Sequence, residues 1–146
     1  MKKLLIALMI CAVAVPGIRA QNASEKDDKP TTELGKSMDD LSAAYKKLRR
    51  QVKDSSHNES SLALLKTIRT AAEHAVTLTP ALAEDQPANK REAFVAAFHK
   101  KMHEFIANLE PLEAALKANN NADAAALVAK LGDMQKKGHK EFKKPD

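Results

Sequence analysis

Six apolar side chains, Leu34, Met38, Leu41, Tyr45, Leu48 and Val52, follow one another at spacings of 4, 3, 4, 3 and 4 residues. At 3.6 residues per turn these positions line one face of a helix, whereas in a strand they would be scattered over both sides. The stripe therefore dictates an amphipathic helix with one face that must be buried. Three further segments carry comparable stripes. Leu62, Leu65, Ile68, Ala72, Ala75 and Thr79 mark a second helix. Phe94, Phe98, Met102 or Lys101, Phe105, Leu109, Leu112 and Leu116 mark a third, and Leu127, Val128, Leu131, Met134 and Phe142 a fourth. With four Gly and an aromatic fraction of 3%, the chain lacks the turn residues and strand formers of a sandwich or barrel.

Punctuation between the stripes agrees. Thr31 or Thr32 can cap the first helix, and the polar run at residues 54–61 interrupts it. The second helix must stop at or just before Pro80, because proline disfavours helical backbone in the residue ahead of it. Pro80 and Pro87 frame the middle connection, and Asn89 with Glu92 three residues on resembles a capping box that opens the third helix. Pro111 lies inside the third stripe and predicts a kink there. Asn119, Asn120 and Asn121 make a turn, with Asp123 as the cap of the fourth helix. Four amphipathic helices with short connections predict an all-α, antiparallel up-down-up-down four-helix bundle over residues 31–146.

The preceding segment reads differently. Lys2 and Lys3 precede an apolar run of twelve at residues 4–15, and Ala20 closes the segment, so residues 1–20 read as a secretory signal peptide. Twelve apolar residues fall short of the roughly 20 needed to span a bilayer. Residues 21–30 are polar and form a disordered leader. Cleavage after Ala20 leaves 126 residues, takes the basic residues from 24 to 21 against 19 acids, and lowers the net charge from +5 to +2. It also removes Cys11, the only cysteine. A near-neutral, cysteine-free chain has no nucleic-acid footprint, no disulfide and no membrane segment after cleavage, and its expected compartment is the periplasm.

In the expected topology Met38, one turn inside the first helix, and His139, one turn inside the end of the last, share one end of the bundle at similar depth. Phe94 and Phe98 lie at that end, and the connection at residues 80–89 closes over it. A thioether and an imidazole opposed across an aromatic-lined cleft suit the axial ligation of haem iron. Without a Cys-x-x-Cys-His motif the haem would be held non-covalently.

The stretch Leu34-Gly-Lys-Ser-Met38-Asp-Asp-Leu41, the Thr79-Pro80 break, the Phe94-x-x-x-Phe98 pair and the ending Gly138-His139-Lys-Glu-Phe142-Lys143 together resemble the cytochrome b562 family of small periplasmic four-helix cytochromes. The resemblance covers about residues 34–143. It implies haem b and its iron bound between Met38 and His139, Phe94 and Phe98 in the pocket, and electron transfer rather than enzyme catalysis. An alignment through Phe105 with a gap near Asn119 is the alternative. The first choice leaves hairpins of matching length, since 42 positions separate Met38 from Pro80 and 41 separate Phe98 from His139. Two positions depart from the family pattern: Gly138 stands where a bulky aromatic is usual and Gln135 where an Arg is usual. Lys143 remains within reach of a haem propionate.

Each feature also has a plainer explanation. A Met in an apolar stripe is commonly core filler. Lysines around His139 complement the negative end of a helix. His99 and His103, at i and i+4, could chelate a transition metal in an extracytoplasmic metal-binding or chaperone-like module without haem, although they flank the core and face water. His57 and His74 are expected on the surface. The chain holds no Ser-His-Asp arrangement, carboxylate pair or Gly-rich phosphate loop, so an enzyme is not expected. The expected function is an electron carrier for a redox partner protein that the sequence does not name, with lysines near the haem edge able to steer an acidic one, and a monomer suffices for it.

Overall fold

The computed structural model of the chain describes residues 32–144. The signal peptide and polar leader expected over residues 1–30 lie outside these residues. Helix α1 spans Glu33–Gln51, α2 Asn58–Val76, α3 Ala88–Ala107, α4 Leu109–Lys117 and α5 Asn121–Phe142. There is no strand among the described residues. α3 and α4 are two halves of one broken rod, so the five segments form a four-helix bundle. In it α1 packs on α2, α2 on the α3–α4 rod, that rod on α5, and α5 back on α1. None of the helices is long and apolar enough to cross a membrane.

The first stripe behaves as its spacing requires. Leu41, Tyr45, Leu48 and Val52 are buried, with Leu34 and Met38 half-buried toward the open end. Thr32 is the cap, its Oγ1 accepting the Gly35 N–H at 3.0 Å. Leu48, Leu65, Ile68, Leu109, Leu112, Leu116, Val128 and Leu131 are essentially inaccessible. Each such side chain contributes roughly 1.5–3 kcal/mol of transfer free energy.

Four boundaries differ from the sequence expectations. α2 begins at Asn58, inside the polar run, because its first polar residues are buried: Ser61 accepts a 2.9 Å bond from Gln51, and Asn58 is 7% exposed. α3 begins at Ala88 with Pro87 in the cap position and no side-chain cap, so Asn89 and Glu92 form no capping box. Proline's fixed φ already suits a helix entrance. The break in the third rod falls at Asn108, three residues ahead of Pro111. Proline has no N–H for the Ala107 carbonyl and its ring crowds that carbonyl, while the Asn108 side chain donates to the Glu104 carbonyl at 2.7 Å. Finally, Asn120 rather than Asp123 caps α5, with Asp123 at the third helical position.

Each end of the bundle is closed differently. At the end away from Met38, Asn58 donates to the Leu116 carbonyl at 3.2 Å and to Asn119 at 2.9 Å, and Asn121 donates to the Val52 carbonyl at 2.7 Å. Asn119 adopts φ 55°, a left-handed conformation that Asn tolerates better than most residues. At the other end Pro80 and Ala83 are buried in a 3-10 turn, Ala81–Asp85. Arg91 holds that turn, donating from Nε to the Ala83 carbonyl at 3.1 Å and from a terminal nitrogen to the Glu84 carbonyl at 3.2 Å.

Candidate functional site

The seam between α1 and α5 is registered by two polar contacts. Gln135 Nε2 donates to Ser42 Oγ at 2.9 Å, and the Tyr45 hydroxyl donates to the Val128 carbonyl at 2.9 Å. Gly132, one turn ahead of Gln135, makes the second contact possible: a Cβ there would collide with the Tyr45 hydroxyl and lie 3.3 Å from Cζ. The helices run antiparallel, so one further turn from Ser42 and from Gln135 reaches the same level. Those positions are Met38 and His139, each four residues from the hydrogen-bonded pair and on the same helix face as its member. Met38 is half-buried and packs on the core, whereas His139 is exposed.

Three phenylalanines close this end. Phe142, one turn beyond His139, is buried with its ring centroid 5.2 Å from Phe94 and 5.5 Å from Phe98, in tilted and edge-on arrangements. Phe98 is buried and Phe94 half-buried. Such pairs add about 0.5–1.5 kcal/mol beyond the area they bury. Lys143 is exposed just past the helix, its backbone N–H bonding the His139 carbonyl at 3.1 Å. Lys144 Nζ lies 3.0 Å from Asp85 Oδ2, which ties the end of α5 to the 3-10 turn.

These residues fit a flat apolar group with a metal at its centre. A thioether sulfur and an imidazole are neutral donors suited to haem iron, and three aromatic rings line the same end. Beside His139, a Cβ on Gly138 would meet nothing within 4 Å, so space is open where the family pattern has an aromatic side chain. Phe142, Ser42, Tyr45 and Gly132 complete the seam without having been legible as site residues. For Phe142 the signal was its position one turn after His139, and for Gly132 it was a glycine inside an otherwise strong helix.

The other histidines are placed otherwise. His99 Nε2 donates to the Leu78 carbonyl at 3.0 Å, joining α3 to the loop ahead of Pro80, and His103 is exposed. Among the described residues no group of three or more His, Cys, Asp or Glu is placed to hold a metal ion. His74 is exposed, with Nδ1 2.8 Å from Ser37 Oγ. Ser37 Oγ is also 3.2 Å from the Glu33 carbonyl, so His74 donates to Ser37 and Ser37 to the carbonyl. Two surface grooves lie away from the seam: one of about 280 Å³ between α2 and α4 beside Arg69 and Glu113, and one of about 420 Å³ between α1 and α2 beside Thr70 and His74.

Fold and site together define a small antiparallel helical bundle that carries a thioether and an imidazole at one level of a single seam. The chain belongs to the cytochrome b562 family, whose model matches residues 33–143. That family is one of b-type haem-binding electron-transfer cytochromes, typically periplasmic and not enzymes. No curated protein and no solved structure matches the chain.

Proposed function

We propose that the protein is a monomeric periplasmic electron carrier that binds haem b non-covalently, with the Met38 sulfur and the His139 imidazole as axial ligands. What supports this ligand pair above all is the seam register, which sets both residues one turn beyond the Gln135–Ser42 hydrogen bond. When bound, haem b supplies a reversible one-electron iron couple. The chain's own residues do the rest. Met38 and His139 would hold the iron from both sides and leave no position for oxygen or a substrate, which would suit outer-sphere electron transfer. Phe94, Phe98 and Phe142 keep water from the apolar end of the pocket, and a low local dielectric strengthens the polar contacts that remain. Lys143 supplies positive charge opposite a propionate. The periplasmic assignment is supported by Lys2, Lys3, the apolar run at residues 4–15 and Ala20.

Absorption spectroscopy tests the reading. The mature protein supplied with haem should develop a Soret band that shifts on reduction, and its absence would end the cytochrome assignment. Met38→Ala should keep the band but bind carbon monoxide in the ferrous state. If the unmutated ferrous protein binds carbon monoxide equally well, Met38 is not a ligand.

A further inference from the structure

We infer that the outer face of α1 over residues 46–53 seats the protein on an anionic lipid bilayer surface. The inference goes beyond the haem reading and needs neither Met38 nor His139. Lys46, Lys47, Arg49, Arg50 and Lys53 stand within eight residues, all exposed and with no acid among them. Their spacings set like charges side by side on the helix: Lys46 adjoins Arg49 and Arg50, and Lys53 adjoins the same two. Such pairs destabilise a helix, and the helix dipole offsets this only in the last turn, at Arg49 and Arg50. After signal cleavage the chain carries +2, so the +5 of this run leaves −3 for everything else.

Little neutralises the run. Among the described residues none of the five is ion-paired; the ion pairs lie on other side chains. Asp54, just past the run, is turned onto Ser56, accepting its N–H at 2.9 Å and its hydroxyl at 2.7 Å. Asp133 on α5 and Arg49 both act on the Tyr45 hydroxyl, and Asp39 and Asp40 lie about two turns earlier on α1. Glu59 opens α2 and Asp123 opens α5 at this end, Asp123 held by Asn120. The other lysine-rich stretch, residues 133–144, has Asp133 and Glu141 among its lysines and Lys144 on Asp85. The shape of the run selects its occupant. The five cations spread along about 10 Å of helix and border neither surface groove, so no single small anion meets them all. Specific protein interfaces are built on aromatic anchors and are poor in lysine. Here no exposed side chain from Ala43 to Ser56 is aromatic, since Tyr45 is buried in the seam. An extended field of phosphate headgroups suits flexible cations that have neither cleft nor anchor. No described helix is long and apolar enough to cross a bilayer, so contact is confined to its surface. α1 would lie along that surface, with Met38 about two to four turns from the cations.

Sedimentation of the mature, haem-supplied protein with vesicles of equal parts phosphatidylcholine and phosphatidylglycerol tests this face. At low salt the protein should enter the pellet, be released as salt is raised, and ignore vesicles of phosphatidylcholine alone. Each Lys or Arg near an anionic bilayer strengthens binding about five-fold, so K46E/R50E should bind about 25-fold more weakly or worse. K46Q/R50Q, which removes the charges without reversing them, should fall between. K90E/K100E makes the same change in net charge as K46E/R50E on exposed positions of α3, diagonal to α1, and should stay within about five-fold of the unmutated protein. An equal loss in K46E/R50E and K90E/K100E would reduce the effect to net charge and overturn the docking face. No vesicle binding by the unmutated protein, alongside binding of poly-L-glutamate, would overturn the bilayer in favour of an acidic protein. Failure to sediment with either vesicle at low salt would overturn it outright. The pellet is read by protein content, so a missing Soret band counts against the haem reading alone.

Discussion

Gln135 on α5 and Ser42 on α1 share a 2.9 Å hydrogen bond that lies one helical turn below both Met38 and His139. The bond forms the floor of the candidate site. It acts with Tyr45 against Gly132 to prevent one helix from sliding past the other. Replacing either partner by Ala should lower stability by about 1 kcal/mol, the usual net worth of one such bond. In a double-mutant cycle read by denaturant unfolding, the two losses should not add. Additive losses would mean that the pair does not couple the helices.

The two glycines of α5 should respond to alanine with opposite signs. Gly to Ala inside a helix ordinarily stabilises by roughly 0.5–1 kcal/mol. Gly138→Ala should follow that rule in the haem-free protein, since the added methyl meets nothing within 4 Å. Gly132→Ala should instead destabilise by about 1–3 kcal/mol, because its methyl drives into the Tyr45 hydroxyl. Adding Tyr45→Phe to Gly132→Ala should recover part of the loss. Thermal melts of the three variants check this, and equal behaviour of the two glycines would contradict the steric account.

Burial raises the Tyr45 pKa above the ordinary tyrosine range; the nearby Asp133 charge adds to this and Arg49 opposes it. The neutral phenol is the form that donates to Val128. Since the folded pKa lies above the unfolded one, the contribution of Tyr45 is complete below pH about 10 and is lost as pH rises through the folded value. Stability should therefore fall on the alkaline side of pH about 10. In Tyr45→Phe that part of the fall should vanish while stability at neutral pH drops by about 1 kcal/mol. Urea midpoints between neutrality and strong alkali measure it, and an unchanged alkaline slope in the variant would assign the fall to other groups.

How much of this was readable beforehand depends on whether a feature is local. The stripe from Leu34 to Val52 states its own helix and buried face, and the four stripes together state the bundle. Met38 and His139 are named by their distance from helix ends, which survives small errors in boundaries. The start of α2 was not readable, because Asn58 and Ser61 look like turn residues until partners on other segments satisfy them. The start of α3 was not readable either, since Pro87 opens the helix without a side-chain signal. Pairs such as Ser42 with Gln135 depend on how far each helix is rotated about its axis, and no single helix encodes that rotation.

Phe142 links the end of α5 to α3, stacking near both Phe94 and Phe98 one turn beyond His139. A helix end fastened mainly by one aromatic side chain should open locally when that side chain is removed. Phe142→Ala should cost about 3–5 kcal/mol if the cavity stays open, and less if the last turn unwinds to fill it. Hydrogen exchange separates the two. Unwinding would abolish protection of the Lys143 amide, which bonds the His139 carbonyl, while amides near Leu131 keep theirs. Phe142→Leu should hold the turn in place, because it retains most of the buried apolar volume and loses only the ring contacts. Full protection of the Lys143 amide in Phe142→Ala would show that α5 needs no aromatic clasp to present His139.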